Sequence, residues 1–191
     1  MISVTEALEK LFLIAKVTPV ETVELKKCLG RVLAKPLEST RNNPPFPSSA
    51  MDGYAIHKAN LKSGAEFKVI GESAAGHSYP KKINKNEAVR IFTGSRVPDG
   101  ANLVLMQEDV EADKKFIIVK ENFDKKSNIR LEGSDFSKGY KVKTPLIIGA
   151  KEISLLAAMN FAHLSVRKKP TVAIISTGDE LVFPGESPKA D

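Results

Sequence analysis

The residue of this sequence best suited to chemistry is Asp52, which lies in a stiff stretch from Asn42 to Ile56. The prolines before it hold the chain extended and remove backbone donors. The pair Asp52-Gly53 then predicts a tight turn that presents the carboxylate in a fixed place. An ordinary surface turn is the alternative, because Asp-Gly is common in turns. The residues from Tyr54 to Ile56 predict the start of a strand.

Two further runs place a hydroxyl or a carboxylate beside glycines. Thr93 follows a strand-like run and precedes Gly94, so its hydroxyl lies beside flexible backbone that can approach an oxyanion closely. A hairpin turn whose threonine bonds its own backbone is the alternative. Asp135 lies between Gly133 and Gly139, where an ordinary loop aspartate is equally consistent with the spacing. Each run therefore supplies a candidate group and leaves a structural explanation open.

A fourth run follows residues 171–176, an apolar segment that predicts a strand buried on both faces of a parallel sheet. Hydroxyls and backbone N–H groups after such a strand can cradle a phosphate, and carboxylates there suit Mg²⁺. The carboxylates would otherwise cap a following helix. The residues concerned are Ser176, Thr177, Gly178, Asp179 and Glu180.

The first forty residues predict a helix followed by short strands. Ser3 and Glu6 form a capping box, and the apolar residues that follow recur at helical spacing, so we predict a helix over residues 4–15. Strands are predicted over 20–25 and 31–37, with one short helical turn between them. Cys28, in that turn, is expected to pack inward as a small hydrophobe.

The middle of the chain differs from its two ends in how apolar residues and turn residues are spaced. From Tyr54 to about Tyr140, short apolar runs separated by turn residues predict a compact β domain. A helix over residues 150–159, with Asn160 in its left-handed cap, returns the chain to mixed α/β structure. Because few residues remain after the predicted strand at 171–176, we expect this sequence to be the N-terminal part of a longer protein.

Composition narrows the class of protein. The chain has 191 residues, of which 42% are hydrophobic and 27% charged, as in a soluble globular protein. The net charge of +6 raises the question of nucleic acid, but the basic residues are scattered, there is no Trp, and only 6% of residues are aromatic. We therefore predict no nucleic-acid partner. No apolar segment is long enough to span a membrane, and no signal peptide is visible.

The cysteine and histidines exclude the commonest metal and redox sites. A single cysteine gives no intramolecular disulfide, so the cytoplasm is the expected compartment. The three histidines show no ligand spacing and are expected at the surface or in packing; they are His57, His77 and His163.

The four runs together resemble the motifs of the molybdopterin molybdenumtransferase family, whose members insert molybdate into adenylylated molybdopterin. The resemblance covers essentially the whole chain, with departures at Pro47 and Ser48, where the family commonly has Asp and Asn, and at Ser134, where it has Glu. The matching segments are Pro44–Ala55, Arg90–Gly100 with Val104–Glu108, Arg130–Gly139 and Ser176–Leu181.

The resemblance implies an α+β fold: a discontinuous mixed α/β first domain, an inserted compact β domain, and the first strand of a truncated α/β molybdopterin-binding domain. The family's first domain contributes to dimerisation, and its members form homodimers. The implied domains are residues 1–45 with 141–170, residues 46–140, and residues 171–191.

The resemblance also implies roles for the candidate residues. Asp52, Thr93, Asp135 and Glu180 would be catalytic, the first three facing Glu180 of the partner subunit. Mg²⁺ would be held by Asp52 and Asp135, and the pterin by Ser176, Thr177, Gly178 and Asp179. The substrates would be molybdopterin-AMP and molybdate, with AMP released, and a molybdopterin adenylyltransferase is a further expected partner. The 191-residue chain alone is expected to have no transferase activity.

Two other interpretations are compatible with the same residues. In one, the chain is a non-catalytic dimerisation or interaction module that has inherited the motifs. In the other, the central part is an RNA-binding β domain, which would show steep salt dependence with an arbitrary oligonucleotide. Loss of cofactor synthesis on replacing Asp52, with the dimer intact, would favour the enzyme.

Overall fold

The computed structural model describes residues 2–113, 115–178 and 180–187. Helices and strands are mixed along these residues, which confirms the predicted combination of α and β structure. In chain order the elements are α1 Val4–Ile14, β1 Val20–Glu24, β2 Val32–Leu33, β3 Leu37–Glu38, β4 Ser48–Ser49, β5 Gly53–Ile56, β6 Glu66–Ser73, β7 Glu87–Ile91, β8 Leu103–Met106, β9 Val110–Ala112, β10 Phe116–Val119, β11 Ile129–Arg130, β12 Lys141–Val142, β13 Leu146–Ile147, α2 Ala150–Ala158 and β14 His163–Arg167.

The chain forms two compact units. Unit 1 consists of Met1–Lys35, Thr144–Ile153 and Ala162–Asp191, and unit 2 of Pro36–Lys143 and Ser154–Phe161. The domain boundaries predicted near residues 45, 140 and 170 stay a prediction. No helix in the part of the chain that the structure describes has the length and apolar character needed to cross a membrane.

Unit 1 is built on a four-stranded antiparallel sheet in the order β1-β14-β2-β13. Cys28 is fully buried, as predicted, and its thiol lies 3.2 Å from the carbonyl oxygen of Glu24. The predicted strand over 31–37 is instead two short strands, β2 and β3, which pair with different partners. Pro36, which lies between β2 and β3 and has no backbone N–H to donate, interrupts the predicted strand.

Helix α1 forms where its cap and spacing predict it. The Ser3 hydroxyl accepts a hydrogen bond from the Glu6 backbone N–H at 3.1 Å, as an N-cap does. No side chain of α1 is buried, and Phe12 is 75% exposed. The helix therefore forms although its apolar face is not covered by any other part of the described residues.

The strand predicted over residues 171–176 is not formed. Residues 171–178 have no regular structure and are exposed, and Ile174 is 89% exposed. A strand buried on both faces needs a hydrogen-bonded partner, and no strand of the described residues pairs with this segment. The apolar composition alone was therefore not sufficient to make it a strand.

Unit 2 contains a six-stranded sheet in the order β8-β5-β7-β6-β10-β9. All neighbouring strands are antiparallel except β6 and β7, which are parallel. Most residues of β5, β7 and β8 are buried, because each face of the sheet carries an apolar cluster. One cluster includes Ile56, Phe67 and Leu105, and the other includes Ala55 and Val104.

Other predicted elements of the central and later parts are confirmed. β5 begins at Gly53, directly after the Asp-Gly turn. β9 and β10 pair as antiparallel strands within the predicted β domain. Helix α2 ends at Ala158, and Asn160 has a φ of 69°, in the left-handed region expected of its cap.

Candidate functional site

The antiparallel pairing of unit 2 brings the start of one strand to the ends of two others. Gly53 at the start of β5 is directly opposite Ile91 in β7 and Met106 in β8. Asp52 and Gln107 lie one residue beyond these positions and Thr93 lies two residues beyond. The three residues therefore meet at the same end of the strands. We call these three residues and Arg90 the Asp52 cluster.

Within the Asp52 cluster, one carboxylate oxygen takes two hydrogen bonds from a single residue. Oδ1 of Asp52 accepts from the Thr93 backbone N–H at 2.8 Å and from the Thr93 hydroxyl at 2.7 Å. Both residues are exposed to solvent. Asp52 and Thr93 were predicted as separate candidates, and they are 41 positions apart in the sequence. The structure brings them into direct contact.

These bonds favour the ionised form of the carboxylate. The Thr93 backbone N–H, then its hydroxyl, and to a smaller extent the positive charge of Arg90 hold the pKa of Asp52 below the usual range of an aspartate. Asp52 is therefore an anion at neutral pH. No side-chain or backbone hydrogen bond from the described residues is found at its second oxygen, Oδ2, which leaves that oxygen available to a ligand.

The position of Asp52 depends on the residue after it having no side chain. A Cβ at Gly53 would lie 1.8 Å from the carbonyl oxygen of Leu105 in β8. That distance is far inside van der Waals contact, so the close approach of β5 to β8 requires glycine. The Gln107 backbone N–H also donates to the Asp52 carbonyl oxygen at 3.1 Å.

Asp135 lies in a second set of contacts, in the loop of residues 131–139, which we call the Asp135 loop. Its Oδ1 accepts from Nη2 of Arg130 at 2.6 Å, and its Oδ2 accepts from Nδ2 of Asn43 at 3.0 Å. The Asp135 backbone N–H donates to the Asn43 carbonyl oxygen at 2.9 Å. Both carboxylate oxygens are therefore engaged, one of them by a cation.

Strand β4 links the backbone of the two regions. β4 pairs with β11, which leads into the Asp135 loop, while the Ser49 N–H donates to Ser95 and the Ser49 carbonyl accepts from Gly94, beside Thr93. Ser48, one departure from the family motif, is buried in this pairing. The Pro47 carbonyl accepts from the Val97 N–H at 2.9 Å. At Pro47 and Ser48, therefore, the backbone and not the side chain makes the contacts with neighbouring segments.

The phosphate cradle predicted after residue 175 stays a prediction. Ser176, Thr177 and Gly178 are irregular and exposed, because the strand that would position them is absent. Glu180 is an exposed turn residue of unit 1, whereas the other candidate catalytic residues belong to unit 2. Asp179 lies outside the described residues.

The predicted Mg²⁺ fits one carboxylate better than two. Among residues 2–113, 115–178 and 180–187, no group of three or more His, Cys, Asp or Glu side chains could hold a metal ion. Asp52 retains a free oxygen, whereas Asp135 is paired with Arg130. Mg²⁺ commonly binds through one or two carboxylates together with water and substrate phosphates. The described residues suit that mode, with Asp52 as the ligand.

Sequence reasoning assigned no role to Arg90 and Gln107, although both lie in the quoted motifs. Nη1 of Arg90 donates to the Gly53 carbonyl at 3.1 Å, and Nη2 donates to Oε1 of Gln107 at 2.7 Å. The signal that could have found Arg90 is its charge in a strand whose other residues are mostly apolar. Its partners could not be read without the pairing of β5, β7 and β8.

The fold and these motifs define a class of protein. The family described as the MoeA N-terminal region (domain I and II) matches residues 2–160. The chain belongs to this family.

Curated relatives and solved structures agree with that assignment. The chain is 36% identical over 188 residues to the molybdopterin molybdenumtransferase of Staphylococcus aureus, covering 95% of this chain and 45% of the relative. It is 33% identical over 187 residues to that of Staphylococcus epidermidis, with the same coverage of 95% and 45%. The chain thus spans about half the length of the curated relatives it matches.

Two solved structures match over nearly the whole length of this chain. The molybdopterin biosynthesis MoeA protein of Pyrococcus horikoshii OT3 matches with a TM-score of 0.82 and 34% identity, covering 95% of this chain and 50% of that chain. A second crystal structure of the Pyrococcus protein matches with a TM-score of 0.77 and 33% identity, covering 100% of this chain and 50% of that chain.

Proposed function

We propose that this chain serves molybdenum cofactor biosynthesis as the N-terminal part of a molybdopterin molybdenumtransferase. The reaction is insertion of molybdate into adenylylated molybdopterin with release of AMP. Support comes from membership of the MoeA N-terminal family and from relatives that carry the transferase name. The observation that carries the proposal is the Asp52–Thr93 pair, an ionised carboxylate held by neutral donors with one oxygen left open.

The proposed work of Asp52 follows from its charge and its open oxygen. The anionic Oδ2 of Asp52 could hold Mg²⁺, which would supply positive charge to offset the negative phosphate oxygens of the substrate. Water then cleaves the phosphate anhydride, so AMP leaves and the pterin keeps a phosphate. Thr93 orients the carboxylate by occupying Oδ1, so the ligand is directed to Oδ2.

Asp135 is proposed to act beside Asp52 once its pairing is rearranged. Its present partners, Arg130 and Asn43, occupy both oxygens, so a cation reaches it only by displacing one of them. Glu180 and the run from Ser176 to Asp179 are proposed to contact the pterin nucleotide from the family resemblance alone. The 191-residue chain by itself is proposed to lack transferase activity.

The assembly and surroundings are also part of the proposal. We expect a homodimer in the cytoplasm that receives molybdopterin-AMP from a molybdopterin adenylyltransferase. Mg²⁺ is the proposed metal because the open ligand at Asp52 is a hard carboxylate oxygen. Neither nucleic acid nor a membrane is a proposed partner.

The test is Asp52→Ala in the protein at its natural full length. The expected result is loss of molybdenum cofactor synthesis with an unchanged oligomeric state. Asp113→Ala is the matched control, because Asp113 is another exposed aspartate of unit 2 whose pKa is lowered, by the backbone N–H groups of Lys115 and then Phe116. Normal synthesis in Asp52→Ala would refute the enzyme and favour a dimerisation or interaction module.

A further inference from the structure

Arg90 is an unusual residue for its place in the sheet. Its neighbours in β7, Ala88, Val89 and Ile91, are all fully buried, yet the strand carries a guanidinium at this position. A strand-end arginine usually extends into water to keep its charge solvated. Arg90 instead directs its guanidinium across the strands that meet at Asp52.

We propose that Arg90 is the positioning residue of the Asp52 cluster, whose guanidinium holds three strand ends in the arrangement that places the Asp52 carboxylate against Thr93. The inference concerns the same site as the proposed transferase and takes its catalytic meaning from that proposal.

Two nitrogens of one planar group bridge the start of β5 and the residue that follows β8. Nη1 of Arg90 donates to the carbonyl oxygen of Gly53 at the start of β5, and Nη2 donates to the side chain of Gln107 at the end of β8. The two donors are held at a fixed angle in the guanidinium plane. Their acceptors are therefore held at a fixed separation, which a single flexible donor would not impose.

Two aromatic rings restrict where the guanidinium can lie. Its central carbon is 5.2 Å from the ring centre of Tyr54 and 4.7 Å from that of Phe92. Tyr54 is directly opposite Arg90 across the β5–β7 pair, and Phe92 is two residues along the chain. Cations are attracted to aromatic faces, and guanidinium groups also stack on them. The rings thus fix the group that makes the two hydrogen bonds.

Three of the four residues that Arg90 contacts lie directly beside the carboxylate pair, in the chain or through a hydrogen bond, and the fourth, Tyr54, is two residues from Asp52. Gly53 follows Asp52 in the chain, and Phe92 precedes Thr93. The Gln107 backbone N–H donates to the Asp52 carbonyl oxygen at 3.1 Å. Loss of the guanidinium would release these segments together, and the Asp52–Thr93 bonds would lose their alignment.

The test is nuclear magnetic resonance of this chain with Arg90→Met, Arg90→Lys and Asp52→Ala. An amide proton bonded to a carboxylate resonates downfield, so Asp52→Ala gives the position of the Thr93 amide without the bond. We expect Arg90→Met to move the Thr93 amide proton upfield toward that position, while the amides of Ala55 and Val89 in the sheet stay in place. Arg90→Lys, which keeps the charge and one donor, should move it less.

Arg96→Met is the matched control, because Arg96 is an exposed arginine three residues beyond Thr93 whose charged contact is a 3.9 Å approach to Asp99. The proposal is overturned if Arg90→Met folds and leaves the Thr93 amide in its wild-type position, or if Arg96→Met moves it equally. Should Arg90→Met not fold, Arg90→Lys decides: an upfield shift supports the proposal, and a wild-type position overturns it.

The resonance readout does not involve the reaction, so the two proposals fail separately. An altered Thr93 amide in Arg90→Met, alongside full activity in Asp52→Ala at natural length, would keep the positioning role and refute the transferase site. Where both hold, Arg90→Met should lower kcat with little change in KM, and Arg90→Lys should restore part of it.

Discussion

Asp52 and Asp135 are two exposed aspartates of the same unit that are held in opposite ways. Asp52 receives two neutral donors from Thr93 on one oxygen. Asp135 receives a cation, Arg130, on one oxygen and the amide of Asn43 on the other. The first arrangement fixes a carboxylate while leaving its charge and one oxygen available, and the second consumes both. Both carboxylates are exposed, so the difference comes from their hydrogen-bond donors. Neutral donors on one oxygen leave Asp52 able to bind a cation, whereas Arg130 and Asn43 use both oxygens of Asp135 to hold the loop together.

The largest expected effect comes from the backbone beside Asp52. In Gly53→Ala the new Cβ would meet the Leu105 carbonyl at 1.8 Å, and backbone on both sides cannot move freely. We expect the free energy of unfolding of unit 2 to fall by about 3 kcal/mol, as overpacking does. Urea unfolding followed by circular dichroism measures it.

Gly133→Ala is the comparison variant in the Asp135 loop. Its Cβ would meet the Ser137 hydroxyl at 2.9 Å, a side-chain atom that can rotate, and the cost comes mainly from a φ of 72°. We expect a loss of about 1.5 kcal/mol. An equal loss in both variants would show that the Asp52 end of the sheet is no more tightly built than the Asp135 loop.

A gain in stability is expected next to Thr93. The Ser95 hydroxyl is buried and has no hydrogen-bond partner among the described residues. Ser95→Ala removes a desolvated polar atom, so the free energy of unfolding should rise by about 1 kcal/mol. Thermal unfolding of the two proteins compares them. A loss of stability would mean that the hydroxyl is satisfied and that this loop holds its polar groups as fully as the Asp135 loop does.

Removing the ion pair between Arg130 and Asp135 should change the free energy of unfolding by a smaller amount. The side chains of Arg130 and Asp135 are 48% and 44% exposed, and exposed ion pairs contribute little. Arg130→Met should lower the free energy of unfolding by about 0.5 kcal/mol at low salt, and by less in 1 M salt because salt screens the pair. Arg96→Met serves as the control for removing a surface charge. A large loss that persists in high salt would contradict this.

The smallest expected effect is the acid dependence due to Asp52. Because its pKa is lowered on folding, the ionised carboxylate stabilises the fold above the ordinary aspartate value of about 3.9. That contribution is lost as the pH falls through the lowered pKa. The stability difference between wild type and Asp52→Asn should therefore shrink between pH 5 and pH 2 in urea unfolding. A stability difference that grows on acidification would show that folding does not lower the pKa of Asp52.

Local signals in the sequence were sufficient where the structure is local. The Ser3 cap, the left-handed Asn160 and the strand after the Asp-Gly turn each depend on a few neighbouring residues, and all are confirmed. Residue type and spacing made Asp52, Thr93 and Asp135 candidates, and the family resemblance assigned them catalytic roles. Their assigned catalytic roles stay a prediction.

Features that depend on pairing could not be predicted. The contact of Asp52 with Thr93 follows from which strands lie beside β5, and no periodicity reports that order. The parallel pairing of β6 with β7 is hidden for the same reason. The apolar run at 171–176 shows the converse, since strand-forming residues without a paired neighbour gave no strand.

The sequence separation of these contacts has a kinetic consequence. Asp52 and Thr93 are 41 positions apart, and Asn43 and Asp135 are 92 positions apart. Contacts of such long range require large loops to close and tend to form slowly. During synthesis, Asn43 must wait for nearly one hundred further residues before its partner exists. The Asp52 cluster and the Asp135 loop should therefore be among the last parts of unit 2 to acquire their final form.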